Sequence, residues 1–193
     1  MQNHFYAMMS RMKNIYRWGL MRNTRAENLS EHSLETAMIA HALCLINNKR
    51  FGGTADPDRT ATAAIYHDTT EIITGDMPTP IKYYNGEIKA AYKQIEKSAG
   101  ESLIEMLPED FRADFERIYN PDTETKRLLK AADKLSALIK CIEELNMGNR
   151  EFAVAEKTLR AAIVDLKCPE ADIFLKEFIP SFGLSLDEQN QEE

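Results

Sequence analysis

Apolar side chains recur at intervals of three and four residues along almost the whole chain. The first segment shows the pattern in Phe5, Met8, Met9 and Met12, and it is expected to stay helical to Gly19. This spacing lines one face of an α-helix, whereas a strand would alternate every second residue. No alternating segment, internal repeat or Gly-rich phosphate loop interrupts it. We therefore predict an all-α fold, a single helical bundle over residues 1–193 with a polar, frayed tail at about 187–193.

Capping residues, glycines and prolines predict where the helices begin and end. The second helix should start near Ser30, with Asn28 or Ser30 as its N-cap. His41 is expected to be a core histidine on the apolar face of this helix, which Leu34, Met38, Ala42 and Leu45 mark and Ile39, Leu43 and Ile46 widen. A third helix should run from Pro57 to about Ile73 and stop at Gly75. Two prolines in residues 76–80 predict a stiff loop there. Five more helices are expected to follow.

The composition excludes several classes of protein. With 31 acidic against 24 basic side chains, the net charge of −7 argues against a broad basic surface for nucleic acid polymers. The longest apolar stretch, residues 37–46, is too short to cross a bilayer, so no membrane association is expected. The first residues lack a secretory pattern. Three cysteines without a C-x-x-C motif, Cys44, Cys141 and Cys168, predict reduced thiols and a cytoplasmic location.

Few side chains in this sequence are suited to metal or acid–base chemistry. His67 and Asp68 are adjacent, and Glu71 follows one helical turn later on the same side. His32 lies in the first turn of the second helix, and Asp133 lies at the edge of an apolar stripe. Taken singly, each also has an ordinary interpretation as a polar residue at a helix surface or a helix end.

In combination these residues resemble a known superfamily. A His, then a His-Asp pair, then a distal Asp on separate helices is the pattern of the HD-domain metal-dependent phosphohydrolases. Further segments resemble the bacterial 5′-deoxynucleotidases, the YfbR-like family: Arg17-Trp18, residues 30–34, residues 66–68, residues 74–80 with Lys82-Tyr83, and residues 180–182. The resemblance covers nearly the whole chain. It departs at Met77, where leucine is common, and at Thr69-Thr70, where Ala-Ser is common; neither touches an expected ligand.

The resemblance implies an HD-domain helical bundle with one divalent cation, held by His32, His67, Asp68 and Asp133. Two imidazoles and two carboxylates suit a transition metal better than Mg²⁺ or Ca²⁺. The family implies activity with Co²⁺, and Mn²⁺, Cu²⁺, Zn²⁺ or Fe²⁺ stay open. No histidine follows His67, which favours a mononuclear site over the two-metal relatives.

The resemblance also implies a reaction: hydrolysis of 2′-deoxyribonucleoside 5′-monophosphates, with broad tolerance of the base. Glu71 is expected to act as general acid or base next to the catalytic Asp68, and Arg17 to clamp the phosphate. The expected substrate-binding residues are Arg17, Trp18, Asp68, Asp76, Met77, Pro78, Thr79 and Asp133. Of these, residues 76–79 are expected to form a rigid wall against the 2′-hydroxyl. Without the resemblance, Arg17 would be interpreted as a surface residue and Trp18 as a buried core residue. Residues 76–79 would then be an ordinary connector between helices.

Two other functions stay open. Another HD phosphohydrolase acting on a nucleoside triphosphate or a guanosine alarmone would need more local cations, for which Arg22, Arg25 and Lys82 are available. A non-catalytic helical module that keeps a structural metal would need neither Glu71 nor Arg17. The family resemblance implies a homodimer, but the sequence does not locate its interface.

Overall fold

The computed structural model describes residues 3–82 and 84–190, and the side chain of Thr79 lies outside the described part. Within these residues the chain forms helices and no strand, which confirms the predicted all-α fold. Its α-helices are α1 (Phe5–Met9), α2 (Leu29–Arg50), α3 (Pro57–Tyr66), α4 (Glu71–Thr74), α5 (Thr79–Lys82), α6 (Gly86–Glu105), α7 (Glu109–Tyr119), α8 (Thr123–Asn146), α9 (Ala153–Asp165), α10 (Pro169–Glu177) and α11 (Leu186–Gln189). Short 3₁₀ segments cover Ser10–Asn14, Arg150–Phe152 and Ile179–Gly183.

The two long helices α2 and α8 pack against each other at the centre of the fold, and α3, α9 and α10 pack around them. Their buried side chains form one core, which includes Ile39, Leu43, Leu128, Leu135, Leu138 and Ile163. A smaller cluster joins α1 to α6 and α7 through Phe5, Leu103, Leu107 and Phe115. Each large apolar side chain so buried contributes about 1.5–3 kcal/mol. The central pair is therefore a rigid base for any side chain that it carries.

The start of α2 is fixed by a capping box. The side chain of Asn28 accepts hydrogen bonds from the backbone N–H groups of Ser30 and Glu31, and the Glu31 carboxylate accepts from the N–H of Asn28. Such reciprocal bonds satisfy donors that have no partner within the helix. The predicted cap is confirmed, and it places His32 in the first turn of α2.

The predicted third helix is interrupted, so the expectation of one helix to Ile73 was wrong. α3 ends at Tyr66, a turn covers residues 67–70, and α4 begins at Glu71. In the turn, His67 Nδ1 bonds to the carbonyl oxygen of Ala64, and Thr69 Oγ1 donates to that of Tyr66. These side chains satisfy carbonyls that a continuing helix would use. His67 therefore projects from a helix end rather than from the middle of a helix.

Two further boundaries differ from expectation. The loop predicted over residues 76–80 is shorter, because α5 already begins at Thr79 with a proline in its first turn. Proline has no backbone N–H, but no helical hydrogen bond is lost there, because the N–H groups of the first turn have no partner within the helix. The first helix ends before Ile15, whose carbonyl instead accepts from the N–H of Leu29. This pairing brings the segment after residue 15 alongside the start of α2.

The predicted inner face of α2 was also wrong. Leu34 and Met38 are each 60% exposed, and His41 is only half-buried, so it is not a core histidine. The buried face carries polar as well as apolar side chains, among them His32, Ser33, Thr36, Ala40 and Leu43. Ile39, Leu43 and Ile46 are buried as predicted, so the error lies in the side of the apolar pattern that holds Leu34 and Met38, because the buried face also carries polar side chains.

Other expectations concern membranes, cysteines and the tail. No helix in the described residues is long and apolar enough to cross a membrane. Cys44, Cys141 and Cys168 are free thiols, as predicted, and all three are buried. The tail is not frayed from residue 187, because α11 is capped at Ser185 by a second capping box. Residues 191–193 of the predicted frayed tail lie outside the described part.

A buried carboxylate ties the segment after residue 17 to α8. Glu144 is almost fully buried and accepts hydrogen bonds from the N–H and hydroxyl of Thr24, the N–H of Arg25, and the side chains of Lys140 and Asn149. The Lys140 ammonium also donates to the carbonyl of Arg25. One side chain thus anchors a segment that forms no helix of its own.

Replacing Glu144 with alanine should lower the free energy of unfolding by about 3–5 kcal/mol, because it leaves the buried Lys140 ammonium without its counter-ion. Urea unfolding measures this directly. The matched control is Glu101→Ala, which removes an exposed partner of Lys97 on α6 and should cause no measurable change. Equal stability of the two variants would contradict the anchoring role of Glu144.

Candidate active site

Four predicted metal ligands meet where α2, α8 and the turn after α3 converge: His32 from α2, His67 and Asp68 from the turn, and Asp133 from α8. One ligand atom of each lies within 4.8 Å of the others. The Nε2 atom of His32 is 3.2 Å from Asp133 Oδ1, and the Nε2 atom of His67 is 3.2 Å from Asp68 Oδ2. Residues from three separate parts of the sequence, between position 32 and position 133, thus form one compact cluster.

The hydrogen bond of His67 defines which ring nitrogen is free. Its Nδ1 lies 2.7 Å from the carbonyl oxygen of Ala64. A carbonyl can only accept, so Nδ1 carries the proton and the neutral ring presents a lone pair at Nε2. That Nε2 atom is buried and has no hydrogen-bond donor. It is therefore available as a ligand.

His32 is held in the same tautomer by a different route. Its Nδ1 lies 3.1 Å from the hydroxyl of Ser136, and that hydroxyl donates to Glu35 at 2.6 Å. Because the single hydroxyl hydrogen is used on Glu35, the Ser136 oxygen must accept from the Nδ1–H of His32. The Nε2 lone pair of His32 then also faces the cluster.

The cluster attracts positive charge. Burial alone would lower the pKa of His67, but the neighbouring Asp68 and Asp133 raise it well above its usual value. Burial would raise the pKa of Asp133, but its close contacts with the imidazole rings of His32 and His67 outweigh burial and hold it well below its usual range. A proton at this position can be replaced by a metal ion, since both neutralise the two carboxylates.

The residues present fit a divalent transition metal. Two imidazole nitrogens and two carboxylate oxygens converge as acceptors, and such a group is stable only with a cation among them. This mixed nitrogen and oxygen set suits Mn, Fe, Co, Ni or Zn. The cluster suggests a metal site without identifying the metal.

Arg17 and Trp18 lie beside the cluster and share one partner. The Arg17 guanidinium donates to Asp68 at 3.2 Å, and its Nε is 3.4 Å from the Glu27 carboxylate. The indole N–H of Trp18 donates to the same Glu27 oxygen at 2.8 Å. Burial disfavours the charge on Arg17, but Asp68, Asp133 and Glu27 outweigh it and raise its pKa. The guanidinium is therefore permanently charged at the rim of the cluster.

The backbone at Trp18 is strained. Its φ angle of 59° lies in the left-handed region, which costs a non-glycine residue about 1–3 kcal/mol. The Trp18 carbonyl accepts from the N–H of Met21 and from the amide of Asn23, and its ring packs on Phe152 with centroids 5.3 Å apart. The surrounding contacts hold this turn, and the turn directs Arg17 towards Asp68.

Glu71 lies in the first turn of α4, where it is buried. Its Oε2 atom has no hydrogen-bond partner among the described residues. Burial raises the pKa of Glu71 to about 8, and the charges of Asp68 and Asp76 add to the rise. The raised pKa favours the protonated carboxyl group, which is the form that a general acid needs.

The loop expected to contact the sugar is only partly joined to this site. The Asp76 carboxylate is close enough to Glu71 to raise its pKa. Met77 and Pro78 are half-buried, and the Pro78 carbonyl accepts from N–H groups at the end of α5. No hydrogen bond or ion pair among the described residues links Met77 or Pro78 to the cluster. The predicted contact through the Thr79 side chain falls outside the described part.

The other candidate cations are engaged elsewhere. Arg22 bonds to Glu151, Arg25 lies 3.6 Å from Glu31, and Lys82 bonds to Glu96. Of the cationic residues considered for phosphate binding, Arg17 alone has a recorded bond to a member of the cluster.

Sequence reasoning missed three residues that support the site: Glu27, Glu35 and Ser136. Glu27 lies one residue before the cap of α2, so it resembled an ordinary charged residue near a helix start. Ser136 follows Asp133 by three positions and is completely buried, which places both on one face of α8. A serine three residues from an expected ligand was the only available signal for it.

Two solved structures with the same arrangement of helices identify the fold. An HD-domain phosphohydrolase from Listeria innocua aligns with a TM-score of 0.81 at 22% identity, covering 98% of this chain and 92% of that chain. The cyanophage S-2L HD phosphohydrolase DatZ, solved with dA and one catalytic Zn²⁺ ion, aligns with a TM-score of 0.64 at 19% identity, covering 91% and 96%. The chain therefore has the fold of the HD-domain proteins, and its His and Asp cluster lies among the central helices of that fold.

Within that class, the chain belongs to the YfbR-like 5′-deoxynucleotidase family, which it matches over residues 4–182. It is 51% identical over 190 residues to a 5′-deoxynucleotidase of Vibrio parahaemolyticus, covering 97% of this chain and 98% of the relative. It is 49% identical over 194 residues to the 5′-deoxynucleotidase YfbR of Escherichia coli, covering 99% and 98%. The family expected from the sequence motifs is confirmed.

Proposed function

We propose that this protein is a metal-dependent phosphomonoesterase that hydrolyses 2′-deoxyribonucleoside 5′-monophosphates to a deoxynucleoside and phosphate. The observation that carries the proposal is the placement of Arg17 and the buried Glu71 beside the His and Asp cluster. The full-length similarity to proteins named 5′-deoxynucleotidases supports the same reaction.

Each side chain has a distinct role in this proposal. A divalent cation held by His32, His67, Asp68 and Asp133 would supply Lewis acidity for activating water and polarising the phosphate. Arg17 binds the phosphate dianion through its planar guanidinium. Glu71 donates a proton to the leaving 5′-oxygen of the sugar, because an alkoxide is a poor leaving group without one. Trp18 forms one wall of the phosphate pocket and orients Arg17.

Selection of the sugar is assigned to residues 76–79. Gly75 ends α4 with a φ angle of 72°, so the chain turns sharply before Asp76. Pro78 and Pro80 then restrict the segment that leads into α5. A wall with little freedom to move discriminates against one additional hydroxyl group better than a flexible loop does. No determinant for the base is evident, so all common bases should be accepted.

Three finer points belong to the proposal. We assign Co²⁺ as an activating metal in vitro, with Mn²⁺, Cu²⁺, Zn²⁺ and Fe²⁺ as alternatives. We also assign a homodimer, supported by the exposed apolar face of α2 at Leu34 and Met38; sedimentation should give twice the mass of one chain. A cytoplasmic location fits the free thiols.

A second HD activity, on a nucleoside triphosphate or a guanosine alarmone, has less support. A triphosphate carries more negative charge and requires several cations. Arg22, Arg25 and Lys82 are already paired with carboxylates. Of the four candidate cationic residues, Arg17 alone has a described bond to a member of the cluster, and one guanidinium at the site suits a monophosphate.

The test measures inorganic phosphate released from deoxyribonucleoside and ribonucleoside 5′-monophosphates and from deoxynucleoside 3′-monophosphates. Protein stripped with a chelator is refilled with Co²⁺, Mn²⁺ or Zn²⁺. We expect metal-dependent release from the deoxyribonucleoside 5′-monophosphates alone. No release from any monophosphate would exclude the proposal, and triphosphates and alarmones would be tested next.

Replacing Arg17 with lysine should raise KM for the 5′-monophosphate by about tenfold or more, because an ammonium cannot form two parallel bonds to phosphate. Steady-state kinetics at saturating metal measure the change. The control is Arg22→Lys, since Arg22 lies on the same segment but bonds to Glu151. A larger KM change in the control than in Arg17→Lys would remove Arg17 from phosphate binding.

Replacing Asp76 with alanine should reduce the preference for deoxyribose by about tenfold. The preference is measured as the ratio of kcat/KM for the deoxyribonucleotide to kcat/KM for the ribonucleotide. The exposed Asp114 on α7 provides the control as Asp114→Ala, which should keep the wild-type ratio. An unchanged ratio in Asp76→Ala would show that discrimination arises elsewhere.

A further inference from the structure

Glu35 has no place in the reaction described above, yet it is connected to the cluster. It lies on α2 three residues after His32, and its carboxylate accepts from Ser136 at 2.6 Å. Ser136 is fully buried on α8, three residues after Asp133. The two residues therefore link the two helices that carry His32 and Asp133.

We infer that Glu35, acting through Ser136, is a positioning residue that fixes the tautomer of His32 and thereby sets the affinity of the cluster for its metal ion. The inference rests on the proposed metal site. Among the described residues, Ser136 is the only recorded hydrogen-bond partner of His32 Nδ1. Glu27 Oε1, at 3.8 Å, is too distant for a hydrogen bond.

The direction of the hydrogen bonds gives Glu35 its effect. With Glu35 ionised, the Ser136 hydroxyl can only donate to it, so its oxygen accepts from His32 Nδ1 and leaves Nε2 as a lone pair facing Asp133. A glutamine at this position removes the constraint, because its amide N–H₂ can donate to the Ser136 oxygen and leave the hydroxyl to donate to Nδ1, which would put the ring proton on Nε2. A proton on Nε2 blocks coordination. Partners of this kind also raise the basicity of the ligand nitrogen.

Glu35 is also accessible from outside the cluster. It lines a groove of about 220 Å³ between α2 and α8, together with Arg25, Glu31, Lys140 and Glu143. Burial raises the pKa of Glu35 to about 7, and the bond from Ser136 opposes that rise. Metal binding is therefore best measured at about pH 8.5, where Glu35 is ionised.

The experiment titrates stripped protein with Co²⁺, in competition with a chelating dye, and also records the visible absorption of bound Co²⁺. The variants are Ser136→Ala, Glu35→Gln and the double variant. The matched control is Glu143→Gln, which changes a carboxylate in the same groove that has no bond to Ser136. Thermal unfolding of each stripped protein, with and without Co²⁺, separates weaker metal binding from a loss of folding.

We expect about 10- to 100-fold weaker Co²⁺ binding in Ser136→Ala and about tenfold weaker binding in Glu35→Gln. The double variant should bind Co²⁺ no more weakly than Ser136→Ala does, because both changes break the same chain of hydrogen bonds. The absorption bands of bound Co²⁺ should shift in both single variants. Glu143→Gln should bind as the wild type does.

Two results would overturn the inference while leaving the proposed function intact. Wild-type affinity in Glu35→Gln would show that the carboxylate does not act on His32. Equal weakening in Glu143→Gln would show that the negative charge of the groove, rather than the hydrogen bonds from Glu35 through Ser136 to His32, controls metal affinity. If the wild-type protein bound no Co²⁺, Mn²⁺ or Zn²⁺, the proposed metal site itself would fail, and the inference with it.

Discussion

Alanine in place of Glu71 is expected to slow phosphate release from a deoxynucleoside 5′-monophosphate by about 10²–10⁴-fold without changing the metal content. Glu71 is buried and largely protonated, and it is not one of the four clustered ligands. Its loss therefore removes a proton donor and leaves the metal ligands in place. Phosphate release and elemental analysis on the same preparation measure both quantities.

A pH profile adds a second readout for Glu71. A glutamic acid with a raised pKa keeps its proton at neutral pH and loses it as the pH rises through that pKa. Wild-type turnover should fall along that limb, and the residual turnover of Glu71→Ala should not. The exposed Glu87 on α6 provides the control as Glu87→Ala. Retained activity in Glu71→Ala would exclude Glu71 as the general acid.

The second large effect concerns Asp133. Asparagine at this position keeps the shape of the side chain but removes one of two anionic ligands, so both metal affinity and turnover should fall, turnover by about 10³-fold or more. Co²⁺ titration and phosphate release measure the two losses. Asp114→Asn, at an exposed site on α7, should change neither. Full metal occupancy with normal turnover in Asp133→Asn would contradict its role as a ligand.

The sequence predicted the helical class well because helix periodicity is a local property. The caps at Asn28 and Asp56 were also predictable, since each depends on a residue and its next three neighbours. The break after Tyr66 was not, because it depends on His67 and Thr69 bonding to backbone carbonyls, which periodicity does not encode. The inner face of α2 was misassigned because the site places polar residues such as His32 in the interior.

The four clustered residues were predictable as a set only through the family resemblance, and the structure brings all four together. The supporting residues Glu35 and Ser136 and the anchor Glu144 were not predicted, because these side chains act through contacts between distant parts of the chain. The bond from Thr24 to Glu144 spans 120 positions. A single sequence carries no local signal for a pairing of that length.

Titrating stripped protein with Co²⁺, while following phosphate release from deoxyadenosine 5′-monophosphate, tests the central claim most directly. The His and Asp cluster, as one mononuclear site, predicts no release without metal and a linear rise that levels at about one equivalent per chain. Release by the stripped protein, or a rise that levels only at about two equivalents, would contradict the mononuclear metal-dependent mechanism.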